Sequence, residues 1–280
     1  MLRYDLAIDG EIMGCISESM INTDDQELIE GIKYLQAYSP QFDPINKDHR
    51  TWYTFNLIEE ALKSAHLGHL INDILQTIVL DALIGNGDRH QENWAIISQR
   101  KLLTDIIDEI EKSRTTPLPK AVKFVAKMLK WTQNKLKESE QKIPNTYYNI
   151  VNQSAPIYDN GSSLCRELLP EKIDNFLSSD DELKKYILKG TSEIHWENKK
   201  LSHFQLIRSL LNTSRKENIK IIIDRVIQKF NAHKIGQLIE QVDKEVPETH
   251  AGYRIPESRK KLIYKSITLR FELLKELINE

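Results

Sequence analysis

Ile84-Gly85-Asn86-Gly87-Asp88-Arg89-His90-Gln91-Glu92-Asn93-Trp94 is the stretch on which the reading of this chain turns. It follows the most regular apolar pattern in the sequence. Ile71, Ile74, Leu75, Ile78, Val79, Ala82 and Leu83 fall at helical spacing on one face, as in a buried helix. Asn72 and Asp73 give that helix a polar first turn. Gly85 and Gly87, two glycines in three positions, predict that it stops there. Downstream, Trp94-Ala95-Ile96-Ile97 predicts a short strand. The polar residues between are therefore held on a loop flanked by apolar elements, where chemistry usually sits. Asp88 offers a carboxylate that can orient an alcohol and accept its proton. Asn93, five residues on, offers an amide oxygen that can ligate Mg²⁺ without adding charge.

A second loop reads Ala155-Pro156-Ile157-Tyr158-Asp159-Asn160-Gly161-Ser162-Ser163-Leu164. An Asp at the end of an apolar stretch, two residues before a Gly, is the local pattern of a kinase metal-binding Asp. Mg²⁺ prefers oxygen ligands and is commonly held by one or two carboxylates plus nucleotide phosphates. Asp159 would be the charged ligand, Asn93 the neutral one, and Gly161 would permit a sharp turn behind Asp159. The D-x-x-x-x-N spacing of Asp88 and Asn93 is that of the protein-kinase catalytic loop. Either motif alone is weak, since short spacings recur by chance and Asp-Asn-Gly is most often a surface turn. Their order, and the apolar segment beside each, give the pair its weight.

Together the two strings resemble the HipA-like serine/threonine kinases. That family's hallmark is an N-x-D-x-H-x-x-N-W-type loop followed by an A-P-x-Y/F-D-N-G-type loop, and both are matched nearly position for position. The resemblance covers roughly residues 18–280, with the motifs within about 70–170. It implies an α+β, mostly α fold: a protein-kinase-like C-lobe behind a short β element. It implies ATP and Mg²⁺ as cofactors and a Ser or Thr hydroxyl on a protein as acceptor. By the same resemblance Asp88 is the catalytic base, Asn93 and Asp159 ligate the metal, and His90 lies beside the metal or phosphate. Arg89 is either a phosphate contact or a structural salt bridge. Phosphatidylinositol kinases share D-R-H-x-x-N but typically continue to H-I-D-F-G; Tyr158-Asp159-Asn160-Gly161 favours the HipA-like branch. A toxin–antitoxin setting, with an antitoxin as partner, belongs to the same resemblance.

Two features depart from a complete kinase. The glycines nowhere fall as G-x-G-x-x-G, and the first lysine is Lys33, so the strand lysine that grips nucleotide phosphates has no counterpart. Residues 1–22 read as a β-hairpin and hinge left from an N-lobe: Tyr4, Leu6 and Ile8 alternate, Asp9-Gly10 is a favoured turn, and Ile12, Gly14 and Ile16 continue. The expectation is that the missing lobe comes from a partner chain or from upstream sequence, or that the chain is a non-catalytic nucleotide-binding module. The second departure is length. Between Asn93 and Asp159 lie 65 residues, and about 99–143 predict a helical insert of two helices separated by Thr115-Thr116-Pro117. Val122, Val125, Met128 and Leu129 form the apolar stripe of the second.

Elsewhere in the body, 23–280, the pattern predicts a helix capped at Thr23–Gln26 and running to about Ala37, another over 48–66, an extended or looped 144–156, and helices from Glu171 to the end. Ile219, Ile222, Ile223, Val226, Ile227 and Phe230 form one stripe, and Ile263, Ile267, Phe271 and Leu274 the last. His195 and Trp196 either line a groove or anchor a loop. His66-x-x-His69 lacks a third zinc ligand nearby in sequence.

Composition closes off other classes. The 280 residues are 40% hydrophobic and 29% charged, with a formal net charge of −2, so no global basic field points to nucleic acid. No apolar run reaches the roughly 18 residues of a membrane span. Asp5, Asp9 and Glu11 interrupt the N-terminal apolar residues, unlike a signal peptide. Two cysteines, Cys15 and Cys165, far apart in sequence, fit a reducing cytoplasm better than a disulfide framework.

Overall fold

The computed structural model describes residues 2–139 and 142–279. The chain opens on a hairpin of β1 (Tyr4–Asp9) and β2 (Ile12–Ser17). Register pairs Asp9 with Ile12, so the two-residue turn is Gly10-Glu11, one position later than Asp9-Gly10. Gly10 takes φ +59° and Glu11 does not take a positive φ, the type II′ arrangement that wants Gly first. Tyr4, Leu6, Ile8, Ile12 and Ile16 are all exposed. The ribbon is held at its ends. Leu2 N–H donates to the Ile157 carbonyl at 3.3 Å, and Tyr253 Oη donates to the Glu11 carbonyl at 3.3 Å.

The expected helix over 23–37 divides. Thr23–Gln26 closes a turn, with Gln26 N–H on the Thr23 carbonyl, and β3 (Gln26–Glu30) follows. Only then does α1 (Gly31–Tyr38) begin. The cap-like cluster reads locally as a helix start, but Leu28 and Ile29 gain more as an edge strand of a three-stranded sheet, order β3-β4-β5. The expected helix over 48–66 also divides, into a 3-10 turn, Lys47–Trp52, and α2 (Phe55–Ser64). Thr54 separates them: its Oγ1 accepts from Leu57 N–H at 3.1 Å, capping α2. α3 (Ile71–Ile84) matches its apolar pattern and ends where the glycines predict, with Gly85 left-handed at φ +71°.

β4 (Ala95–Leu102) is longer than the four apolar residues that announced it. Two helices follow, α4 (Leu103–Ser113) and α5 (Lys120–Glu138), and then β5 (Tyr148–Ser154). β5 returns antiparallel along β4, pairing Ser154 with Ile96. The excursion between Asn93 and Asp159 therefore ends beside where it began. α5 packs along α4 through Ala126 and Gln133. Val125 and Met128, expected in its apolar stripe, are exposed together with Phe124 and Trp131.

The rest is helical, as read from Glu171: α6 (Pro170–Ser178), α7 (Asp180–Lys189), α8 (His203–Leu211), α9 (Lys216–Lys229), α10 (Ala232–Gln241) and α11 (Glu257–Asn279). The run is interrupted at 190–202, where His195 exchanges backbone hydrogen bonds with Tyr53 and Phe55. His195 is a buried loop anchor. The chain forms two units, Met1–Glu18 with Glu30–Ala95 and Pro156–Glu280, and Ser19–Ile29 with Ile96–Ala155. In the first, α3 is the central helix. Leu75, Val79 and Ala82 are wholly buried among α8, α9 and α11, and Phe230 stacks on Phe271 with ring centroids 3.7 Å apart.

α1 starts against the end of the first loop. Gly31 N–H donates to the Trp94 carbonyl at 2.9 Å, and Trp94 Nε1 donates to Tyr53 Oη at 3.0 Å. A Cβ at Gly31 would stand 2.1 Å from Trp94 Cε2. Gly31→Ala should therefore cost about 3 kcal/mol through overpacking, read as a lowered urea midpoint at unchanged slope; an unaltered midpoint would show that the indole moves aside freely.

Candidate active site

The site is built from a charge buried in α3. Asp81 lies three residues after Ile78 and seven after Ile74, so the helix carries it onto the apolar face. Its backbone carbonyl accepts from Gly85 N–H at 2.8 Å and Asn86 N–H at 3.0 Å, which turns the chain out of the helix. Its carboxylate accepts from Asn86 Nδ2 at 3.3 Å and from Arg89 Nε at 3.1 Å and Nη2 at 2.9 Å. Asn86 has no exposed surface and its Oδ1 accepts the Asp88 N–H at 3.2 Å. That bond points the backbone of Asp88 inward and leaves its carboxylate exposed.

Arg89 joins the two loops. It is 1% exposed. Beyond its bidentate pair with Asp81, Nη1 donates to the Asn93 carbonyl at 2.8 Å and the Tyr158 carbonyl at 2.6 Å, and Nη2 to Asn160 Oδ1 at 2.6 Å. These bonds engage all five guanidinium N–H groups. Of the two roles open to Arg89, the salt bridge is the one built, and no donor remains for a phosphate. Burial alone would lower its pKa, but Asp81 more than offsets this and holds the guanidinium above its ordinary value. Burial pushes the Asp81 carboxyl up against the pull of Arg89. The two carboxylate oxygens facing Nε and Nη2 form the bidentate geometry of an ion pair.

The other residues follow. Asn93 is buried and its Nδ2 donates to the Asp88 carbonyl at 2.7 Å, so Oδ1 is the amide's free edge. Asp159 is exposed and left-handed, φ +49°. The sharp turn expected at Gly161 falls on Asp159 itself, since Gly161 does not take a positive φ. Ser162 Oγ donates to Asp88 Oδ2 at 3.3 Å, a contact between the loops that the sequence did not announce. Tyr158 Oη donates to the Glu92 carbonyl at 2.6 Å, and burial pushes its phenol up to about 12. His90 Nδ1 accepts Glu92 N–H at 3.3 Å. It lines a cavity of about 270 Å³ with Asp88, Arg50 and Glu193. A second cavity bordered by Asp88, about 410 Å³, is lined by Ser162, Arg166, Lys189, His203 and Arg270. Asp81 and Asn86 were legible only as polar residues at the buried end of an apolar helix; Arg270 had no signal beyond its place within the last apolar stripe.

Compared as a fold, the chain is similar to the crystal structure of a Helicobacter pylori proinflammatory kinase, CtkA, at 16% identity and a TM-score of 0.63, covering 99% of this chain and 77% of that one. The fold is kinase-like. It is the expected α+β, mostly α arrangement. No family model and no curated protein matches the sequence. No helix among the described residues is long and apolar enough to cross a membrane.

The donor set suits a hard cation. Asn93 and Asp159 offer an amide and a carboxylate oxygen, the ligands Mg²⁺ takes alongside phosphates. No three His, Cys, Asp or Glu among the described residues converge to hold a metal unaided.

Two outcomes follow from these burials. Arg89→Lys cannot reproduce five directed donors and leaves Asp81 poorly paired; urea denaturation should show a loss of about 3 kcal/mol, and a loss under about 1 kcal/mol would mean the loops are held otherwise. His203 is buried and its pKa is lowered to about 3, by burial first and then by Arg270 and Lys200. The unfolded chain takes up this proton below about pH 6.5 while the folded chain stays neutral. Stability should therefore fall as pH drops from about 6.5 toward 3, by up to about 1.4 kcal/mol per pH unit. His203→Gln should remove that part of the slope in pH-stepped denaturation.

Proposed function

We propose that the chain is a HipA-like kinase that transfers the terminal phosphoryl group of ATP to a Ser or Thr hydroxyl of a protein, with Mg²⁺. The observation that carries this reading is the Arg89 guanidinium, which binds the loop of Asp88 and Asn93 to the loop of Asp159. Loops with 65 residues between Asn93 and Asp159 are thereby tied to one guanidinium, which supports their acting as one site.

Asp88 would accept the acceptor's proton and orient its hydroxyl. Its carboxylate is open to a substrate; Ser162 Oγ donates to it, and Asn86 Oδ1 fixes the backbone beneath it. Asn93 would ligate through Oδ1, its other edge being committed to the Asp88 carbonyl. Asp159 would add the one negative charge. Bound Mg²⁺–ATP supplies the phosphoryl group and the metal that neutralises charge developing on it. Since Arg89 has no spare donor, a cation over the phosphates must come from another residue. A partner chain contributing a strand lysine is the arrangement we propose.

A second reading is nucleotide binding without turnover. It is favoured by the hairpin, neither strand of which carries a lysine. Calorimetry with Mg²⁺–ATP separates the two when read beside transfer: heat of binding with no transfer supports the second.

The first is tested with labelled ATP, Mg²⁺ and an acceptor protein. Asp88→Ala should lower incorporation at least about 100-fold with little change in melting temperature, because the Asp88 carboxylate is outside the Arg89 cluster. Equal incorporation by both chains would sink the assignment.

A further inference from the structure

The cavity of about 410 Å³ beside Asp88 is lined by a buried cation that makes no ion pair among the described residues. Arg270 lines it and is 3% exposed. Its hydrogen bond is from Nη1 to the Ala82 carbonyl at 3.1 Å, in the last turn of α3. Nε is buried with no partner, and no carboxylate among the described residues lies within ion-pair distance. Burial pulls its pKa down, and its ionisable neighbours Cys165, Tyr186 and Glu167 only partly oppose this. Burial raises the Cys165 thiol and the Tyr186 phenol, so both are neutral. The Glu167 carboxylate accepts from Tyr186 Oη and acts on Arg270 only from beyond ion-pair distance. The α3 carbonyl end offers only a fractional negative charge.

The surroundings make room for this guanidinium rather than sealing it. Gly85 has no Cβ where one would stand 2.6 Å from Nη2, and a Cβ at Gly190 would stand 3.7 Å from the same atom. Arg166 and Lys189 line the same cavity. Three cations therefore border it against Asp88 and Glu167. A buried charge left unpaired is costly, and a binding site that is completed by its ligand is one way a structure retains it. The lining includes Asp88 but neither Asn93 nor Asp159, which places the cavity toward the acceptor rather than the metal.

We propose that this cavity binds an oxyanion carried by the acceptor, the carboxylate or phosphate of a residue close to the hydroxyl, with Arg270 as the buried contact and Lys189 and Arg166 at the mouth. The kinase reading supplies the word acceptor; anion binding does not depend on it.

The test is calorimetric titration of the full chain, without nucleotide and at constant ionic strength. The probes are inorganic phosphate and three serine peptides whose flanking residues are glutamate, phosphoserine or lysine. Saturable phosphate binding is expected. The glutamate or phosphoserine peptide should bind about tenfold more tightly than the lysine peptide, and whichever of the two is tighter identifies the oxyanion. Lys189→Glu, at an exposed position, and Arg270→Gln should each weaken phosphate about tenfold. If Arg270→Gln does not fold, Lys189→Glu decides. No saturable phosphate binding, equal affinity for the three peptides, or binding untouched by Lys189→Glu overturns the proposal. Phosphate and peptide discrimination alongside equal incorporation by the Asp88→Ala chain in the labelled-ATP assay would overturn the kinase reading alone.

Discussion

One guanidinium organises this molecule's candidate chemistry. Arg89 is buried at the end of α3, and a buried guanidinium is tolerable only when its donors are met. Its five N–H groups are met by three separate stretches of chain: the Asp81 carboxylate, the Asn93 carbonyl, and the Tyr158 carbonyl with Asn160 Oδ1. The fork is planar, so each acceptor is held in direction as well as distance. Lysine, with one compact head group, could satisfy some of these acceptors but could not set their angles. The position of Asp159 relative to Asn93 is therefore a consequence of satisfying a charge whose every donor is taken by protein atoms. In a low-dielectric cluster of this kind partial satisfaction is worse than none, which is why two flexible-looking loops are held in one arrangement.

The second loop shows the cost of that arrangement. Asp159, Leu164 and Cys165 all adopt positive φ, a conformation that costs a side-chain-bearing residue about 1–2 kcal/mol. Gly161 lies between them and does not use its freedom. A loop shaped only for turning would place glycine at the left-handed positions. Here an Asp occupies one, and its neighbours are fixed from outside: Asn160 by Arg89, Ser163 Oγ on the Asn160 carbonyl at 2.6 Å, and Leu164 N–H on the Ile84 carbonyl at 2.9 Å. Strain at Asp159 is thus offset by hydrogen bonds on either side, as at functional positions where a side chain is needed in a backbone state that disfavours it.

How much of this the sequence discloses depends on whether a feature is local. The helix over 71–84 and its glycine stop are local, since periodicity and a left-handed cap are properties of a few consecutive residues, and both were legible. The hairpin was legible too, displaced by one residue because Asp9-Gly10 and Gly10-Glu11 are both acceptable turns and only register decides. Thr23–Gln26 misled because a cap-like cluster looks the same before a helix or a strand; pairing in the sheet, which is long-range, overrode it. The exposed Phe124, Val125, Met128 and Trp131 show that an apolar stripe states a preference and not an outcome. Asp88, Asn93 and Asp159 could be named as candidates from their local strings and the family those strings resemble. The role of Arg89 could not, because whether a guanidinium meets a phosphate or a carboxylate depends on burial, and burial depends on Asp81 arriving from a neighbouring turn.

Arg89 and Arg270 make the final contrast. Both are buried near the end of α3 and both lie close to the loop that carries Asp88. One has every donor matched by protein atoms and is structural by that fact alone. The other has the carbonyl of Ala82, two neutral neighbours, a carboxylate at Glu167 beyond ion-pair distance and a glycine where a side chain would otherwise crowd it. Helix packing alone would accept leucine at that position on α11, at lower electrostatic cost. What distinguishes the two arginines is thus not their burial but what completes them. For Arg89 it is the fold, and for Arg270, on the proposal above, it is an oxyanion of the acceptor.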